Sequence, residues 1–536
     1  MAQSGSRRTS PLERAVDRRT LFRGTAAGLG LLAVSPLLTA GGVSAQQATA
    51  SASAATPGGT LLFNGGSNLS GLDPHTTGAV VSWYTLDNIF DRLMRLNPET
   101  QQPEPSLAEK VEVSDDGLTY TFTLRQGVKF HNGRVMTSED VKKTIERIQD
   151  PNVPAVAKGY FASLGSIETP DEQTVKLVYK EVYAPLLIAL TRLETAIVPM
   201  EEVEKKDQWE QHPVGSGPFK FDSYVKDQAV VMSKNADYWE SGLPYLDSVQ
   251  QKVITQMETA VINVRTGDIQ ATPIQASDIE GLKESKDVQV VNVDSTYWAH
   301  LSLNNRRKPF DDVKVRQAIR LGVNRDDIKE LAFFGTGTVS NTLIPEGNPF
   351  RAEVDGWTYD PDKAKSLLKE AGLDGGFSTK LRIVSSQPWE VAASQIIQQN
   401  LADLKIQVEI EQIEATTWFS EVFTDHDFDM SMTSHVSKVD PDLSMFDILH
   451  SGDLGTKNYT GFNDPEMDKL LDEGRATTDA DKRMSIYTDA QKVFVERSGY
   501  IVLNLQVLPF ALTNNVQDFL LLPTSELRWK GTWLKQ

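Results

Sequence analysis

The chain has no cysteine, which excludes disulfides, thiolate metal sites and cysteine nucleophiles. Basic charge is in short supply. Against 73 aspartates and glutamates stand 54 lysines and arginines, a net charge of −19 with histidine neutral. A nucleic-acid partner is therefore not expected, because neutralising phosphates takes a basic surface. The seven histidines are scattered at positions 75, 131, 212, 300, 426, 435 and 450, without helical ligand spacing and with no HExxH, so zinc catalysis has little support. The composition that remains, 40% hydrophobic and 24% charged, is ordinary for a globular protein and argues against disorder, collagen-like repeats or coiled coil as the main architecture. At about 150 residues per domain, the chain has room for three or four structural units and for clefts between them.

Residues 1–45 carry the three-part pattern of a removable export signal. Arginines come first (Arg7, Arg8, Arg14, Arg18, Arg19, Arg23), then an uncharged stretch from Gly24 to Leu38, then small residues. The apolar stretch is shorter than the roughly 20 residues that span a bilayer. The pair Arg18-Arg19, followed by Thr20-Leu21-Phe22-Arg23, resembles the twin-arginine signal that exports folded proteins. Cleavage is expected after Ala45, with Ala40 the alternative. With no cysteine to carry a lipid, the mature protein is expected to be soluble in the periplasm and not membrane-anchored. Losing six basic and two acidic residues with the signal leaves it more acidic still.

Residues 46–57, rich in Ala, Ser and Thr, make a flexible leader that runs into Gly58-Gly59. Thr60–Asn64 is a short strand candidate. Period-two alternation from Leu118 to Leu124, after the turn Asp115-Asp116-Gly117, predicts a strand that continues through Arg125-Gln126-Gly127 into Val128-Lys129-Phe130 as a hairpin with one wet face. Thr137-Ser138-Glu139-Asp140 opens a helix that Asp150-Pro151 closes, with Val141, Ile145 and Ile148 on its apolar face. Asp360-Pro361 opens another, with Ala364, Leu367, Leu368 and Ala371 facing inward and Gly372 at its stop, and a third runs from Asp312 through Val315, Ala318 and Ile319. Strands at Ile406–Ile410 and Ile501–Leu505 alternate with helices, so the class is α/β.

Chemical signatures are missing where an enzyme of this size would usually carry one. Gly215-Ser216-Gly217 lacks the glycine spacing of a nucleophile elbow. Asp425, Asp427 and Asp429 imitate the start of a calcium loop, but Met430 stands where glycine is needed and Val436 where a bidentate glutamate belongs. Neither a dinucleotide fingerprint nor a Walker lysine motif occurs. Paired carboxylates could still meet in space, although most acidic residues are solvated surface. The balance favours binding over catalysis, with no catalytic residue, no metal and no cofactor expected.

From Pro105 to Val141 the sequence contains Pro-Ser-Leu-Ala-Glu-Lys, Val113-Ser114-Asp115-Asp116-Gly117-Leu118-Thr119-Tyr120-Thr121-Phe122, Gly127-Val128-Lys129-Phe130-His131-Asn132-Gly133 and Glu139-Asp140-Val141. This resembles the signature of the family 5 extracellular solute-binding proteins, the dipeptide, oligopeptide and nickel receptors of bacterial ABC importers. Leu72-Asp73-Pro74-His75, Pro213-Val214-Gly215-Ser216-Gly217-Pro218-Phe219, Asp237-Tyr238-Trp239, Arg265-Thr266-Gly267-Asp268, Pro309 through Ile319, and Tyr359-Asp360-Pro361 through Gly372 are similar to further family segments in the same order. The resemblance implies a periplasmic binding protein-like type II fold, two lobes with a hinge plus an extra domain (cluster C type). Domain I would comprise 58–89, 214–296 and 507–536, the extra domain II 90–213, and the second lobe, domain III, 297–506. It implies a monomer that shuts on a small-molecule ligand and presents it to ABC permease subunits.

The family sets its ligand contacts on loops facing the cleft, where aromatic walls supply area and aimed polar groups set orientation. By position these are Ser67 and Asn68, Trp83 and Tyr84, Tyr297 and Trp298, Gln387 with Trp389, Trp418, and His435, Ser437 and Lys438. Peptide-binding members carry an aspartate three residues before the acidic-Pro dipeptide of the last cleft loop, where it pairs with the ligand ammonium. Here Ser437 occupies that position before Asp440-Pro441. A hydroxyl there withdraws the charge-assisted partner that a buried ammonium needs. A carboxylate-bearing ligand, peptide-like or a sugar and amino-acid conjugate of the opine type, would suit the set better. The alternatives are a secreted hydrolase on the same scaffold and a chaperone-like or sensory binding protein.

Overall fold

The computed structural model describes residues 55–454 and 457–536. The expected export signal lies outside them, as do residues 46–54 of the leader. One ten-stranded sheet runs through the molecule in the order 406–413, 377–384, 430–436, 288–303, 500–513, 271–273, 60–64, 248–252, 229–234 and 219–225. Its two central strands, Val288–Leu303 and Tyr500–Thr513, are long enough to serve both halves. They pair antiparallel from Val288 to Asp294 against Val507 to Thr513, and again from Trp298 to Ser302 against Tyr500 to Leu505. Between Asp294 and Trp298 the register shifts, and such an interruption loosens the ladder and lets a strand pair bend.

Each half has its own core. On one side Leu61, Phe63, Leu86, Val249 and Trp529 are buried together. On the other, Val315, Ala318, Ile319, Ala364, Leu368, Leu381 and Ile397 are buried, mostly from helices laid on the sheet. The helix Val313–Gly322 starts where the Asp312 carboxylate accepts from Lys314 N at 2.8 Å. The helix Pro361–Glu370 starts in the same way, with Asp360 accepting from Lys363 N at 2.9 Å and proline in the first turn; carboxylates satisfy the free N–H groups of a first turn and oppose its positive dipole end. Leu367 of this helix and Ala371 at its C-terminal end pack half-buried on the core that Ala364 and Leu368 enter fully.

A third unit is built from a four-stranded antiparallel sheet, 108–113, 119–124, 174–179 and 164–171, covered by the helix Ser138–Gln149. Thr137 and Asp140 form the expected capping box. The expected hairpin is corrected here. Thr119–Leu124 pairs with Ala108–Val113 and Thr174–Tyr179, while Val128–Phe130 contributes only an isolated bridge from Lys129 to Val135. The Asp115–Gly117 turn closes the hairpin on the earlier side, with Asp116 accepting from Ser114 Oγ at 2.5 Å and Leu118 N at 3.0 Å. Val128 instead drops its side chain into the core. The Pro213–Phe219 turn is pressed onto the end of the helix Val80–Ile89: a Cβ on Gly215 would lie 2.0 Å from the Ile89 carbonyl oxygen. No helix among the described residues is long and apolar enough to cross a membrane.

Candidate functional site

Two neighbouring spaces open where the halves meet. The smaller is lined by Trp83, Asp87, Arg92, Arg192, Glu194, Lys438, Thr524 and Glu526, with Leu96, Ile188, Val439 and Leu443 as its apolar part. Arg192 stands just before the short helical turn Leu193–Thr195 and Glu194 within it, and the two bridge each other at 2.9 Å. The Arg192 guanidinium stands 5.6 Å from the Trp83 ring centroid, a cation–π geometry that favours arginine over a bare methylene chain. Arg92 is shared between Asp87 and Glu526, and Glu526 is also held by Arg528 at 2.7 Å. Lys438 reaches in from the other half, its ammonium 4.0 Å from Asp447. Burial holds its pKa below the ordinary lysine value, with Arg192 among the groups that add to the effect. Although burial opposes its charge, Glu194 is held below the usual carboxylate range by Arg192.

This charged nest is incomplete. Arg92 Nε, Arg192 Nε and Glu194 Oε2 are buried without a hydrogen-bond partner, and so is the Oγ of Ser437, the residue before Lys438. Each such atom costs about 1–3 kcal/mol, against a total stability of about 5–15 kcal/mol for a typical domain.

The larger space has a volume of about 760 Å³. Its walls are Tyr297, Phe333, Phe334, Trp389, Trp418 and Phe419, with Met257, Ile274 and Val507–Pro509 on the facing side. Trp389 stacks on Phe333 with ring centroids 5.3 Å apart. Trp418 is fixed by its Nε1 donating to Ser431 Oγ at 2.7 Å. Phe334 is held in the left-handed region at φ 53°, unusual for a bulky residue, with 61% of its surface exposed beside the cleft. The Tyr297 hydroxyl accepts from Ser525 Oγ at 3.1 Å, and Thr524 and Glu526 on either side of Ser525 line the charged cavity. This contact ties the linings of the two spaces together.

The residues singled out from sequence divide accordingly. Trp83 and Lys438 line the charged cavity, and Ser437 adjoins it. Tyr297, Gln387, Trp389 and Trp418 line the aromatic cleft. Trp298 does not face it. Only 1% exposed, it stacks on His300 at 4.2 Å in the core, because neighbours on a strand point to opposite faces. Tyr84 is likewise a core residue, edge-on to Phe63 at 5.3 Å. Ser67 is exposed, and the Asn68 amide is spent on Asp227 and Tyr224; neither lines the two spaces. His435 packs between Trp298 and Tyr459 and lines neither space; burial, with Lys438 adding to it, pushes its pKa down to about 4. Sequence reasoning missed Arg92, Arg192, Glu194 and Glu526, which come from distant segments and carry no local signal. It also missed Phe333 and Glu390, although Glu390 stands beside Trp389.

A charged, partner-poor cavity enclosed between two halves of a sheet that shares its two central strands defines a two-lobed solute-binding protein. The chain belongs to the bacterial extracellular solute-binding proteins, family 5: the model of that family's middle region matches residues 102–456. It is 30% identical over 480 residues to the glutathione-binding protein GsiB of Salmonella typhi, covering 88% of this chain and 93% of that one. Among solved structures, AgaA of A. tumefaciens in complex with agropinic acid is 29% identical with a TM-score of 0.79, over 89% of this chain and 99% of that one. The periplasmic binding protein DppA of Helicobacter pylori, in complex with the peptide STSA, is 27% identical with a TM-score of 0.79, over 90% of this chain and 99% of that one. The family and these relatives are binding proteins.

Proposed function

We propose that this protein is a periplasmic receptor of an ABC importer that captures a small carboxylate-bearing solute and hands it on unaltered. The observation that carries the reading is the set of buried, unpartnered atoms on Arg92, Arg192 and Glu194. A ligand carboxylate bonded to Arg192 and Lys438 meets cations that their own partners leave underused, and charge-assisted bonds of this kind are the strong ones. Glu194 Oε2 supplies the anionic acceptor for a ligand ammonium, a charge that the Ser437 hydroxyl lacks. Peptides with free amino termini are thereby admitted alongside opine-like conjugates, in keeping with the glutathione, peptide and agropinic acid named for the relatives.

In this reading the lobes divide as domain I at 58–89, 214–296 and 507–536, domain II at 90–213 and domain III at 297–506, and they close by bending at the register shift between Asp294 and Trp298. Export follows the twin-arginine pattern at Arg18-Arg19, and the mature protein works as an unanchored monomer that meets its permease when closed. The test is calorimetric titration with glutathione, alanyl dipeptides and agropinic acid, followed by mass spectrometry of the recovered ligand. Stoichiometric binding with intact ligand is expected; recovery of cleaved products would overturn the receptor reading in favour of a hydrolase.

A further inference from the structure

Glu390 stands in the first turn of the helix Pro388–Ala402 with 2% of its surface exposed. Its Oε2 accepts from Val384 N at 2.7 Å. Among the described residues lining the aromatic cleft it is the only carboxyl side chain, and no lysine, arginine or histidine joins it there. The ionisable groups around it are phenols and the neutral imidazoles of His300 and His435. Tyr297 lines the same cleft. The Tyr459 hydroxyl, bonded to Ser302 at 2.6 Å and His300 at 3.1 Å, has its acidity suppressed first by burial and also by the Glu390 charge. The His435 ring packs on Tyr459. Left without a cation, the Glu390 carboxyl is pushed by burial to about 8, so it keeps its proton at neutral pH.

A cleft meant only for hydrocarbon would gain nothing from a buried acid, since burying a carboxyl carries a desolvation cost that its one bond from Val384 N offsets only in part. Phe333, Trp389, Trp418 and Phe419 line the same space, and aromatic rings attract cations as well as apolar groups. We infer that the aromatic cleft takes a cationic end of the solute, an ammonium or guanidinium group, with Glu390 as its counter-ion and the rings as its walls; the inference rests on the charged cavity holding the carboxylate end. The ligand class is then a compact solute with an anionic head and a cationic tail. When the cation arrives Glu390 gives up its proton, which leaves with the buffer.

The test uses the full-length mature protein and three probes: alanyl-arginine, alanyl-citrulline, in which a neutral urea replaces the guanidinium, and agmatine, a guanidinium without a carboxylate. Calorimetry at pH 7 in phosphate and in Tris reads both affinity and protons released. The expected result is that alanyl-arginine binds about tenfold or more tighter than alanyl-citrulline, that it releases up to about one proton, and that Glu390→Gln, which keeps the acceptor for Val384 N, abolishes both differences. Equal affinity of the two dipeptides overturns the inference and leaves the receptor reading standing. Agmatine binding that depends on Glu390 while neither dipeptide binds upholds the cation site and overturns the carboxylate seat. No binding by any probe overturns both.

Discussion

Arg192 and Glu194, two residues apart, bridge at 2.9 Å, and each leaves one buried atom, Nε and Oε2, without a partner. The pair is thus both a structural ion pair and half of a ligand site. Removing one member should strand the other. Arg192→Met is expected to destabilise the protein by about 3–5 kcal/mol, whereas Arg192→Met with Glu194→Met should cost much less, because a buried charge pair replaced whole is often neutral. Urea unfolding of the single and double variants checks this, and equal losses in both would contradict it.

Lys438 has a different profile, since its nearest anion, Asp447, is 4.0 Å away. Lys438→Met is expected to leave stability at pH 7 unchanged or raised, while weakening a carboxylate ligand about tenfold or more. The folded ammonium holds its proton less tightly than the unfolded one. Stability of the natural protein should therefore rise with pH across the interval from that lowered pKa to the unfolded value of about 10.4, and any advantage of the variant should shrink there. Thermal melts at pH 7 and pH 10 read both arms.

Ser437→Asp places an anion next to Lys438, which lines the charged cavity together with Glu194. The expected outcome is a shift in preference toward ligands with a free ammonium and against those whose amine is masked, measured as the ratio of affinities for a dipeptide and its N-acetyl form. An unchanged ratio would remove Ser437 from the site.

Glu390 links the cleft to pH. The fold keeps its proton up to about 8, while the unfolded chain releases it near 4.5. The associated stability is fully present below pH 4.5 and is lost as pH rises through 8. Glu390→Gln cannot titrate, so it should match the natural protein near pH 4 and exceed it by a few kcal/mol near pH 9. Denaturant titrations at both values decide this, and parallel curves would contradict it.

Helix starts were legible because their chemistry is local: Asp360-Pro361 and Thr137 with Asp140 cap as their sequence proposes. The hairpin was not, since both neighbours of Thr119–Leu124 have turn residues and only core packing decides which one pairs. The aromatic half of the site could be located by position, yet strand alternation alone implies that Tyr297 and Trp298 cannot both face the cleft. The charged half was illegible: Arg92, Arg192, Lys438 and Glu526 span more than four hundred residues, and their meeting is a product of the fold. Glu390 looked like an ordinary acid in a first helical turn; only its burial without a cation sets it apart.

The most direct measurement compares each bound acid, whether glutathione, a dipeptide or agropinic acid, with its methyl ester by calorimetry on the natural protein. The account predicts at least one free acid bound one to one, with its ester about tenfold or more weaker. An ester that binds as tightly as its acid would contradict the assignment of Arg192 and Lys438 as the seat of the ligand carboxylate.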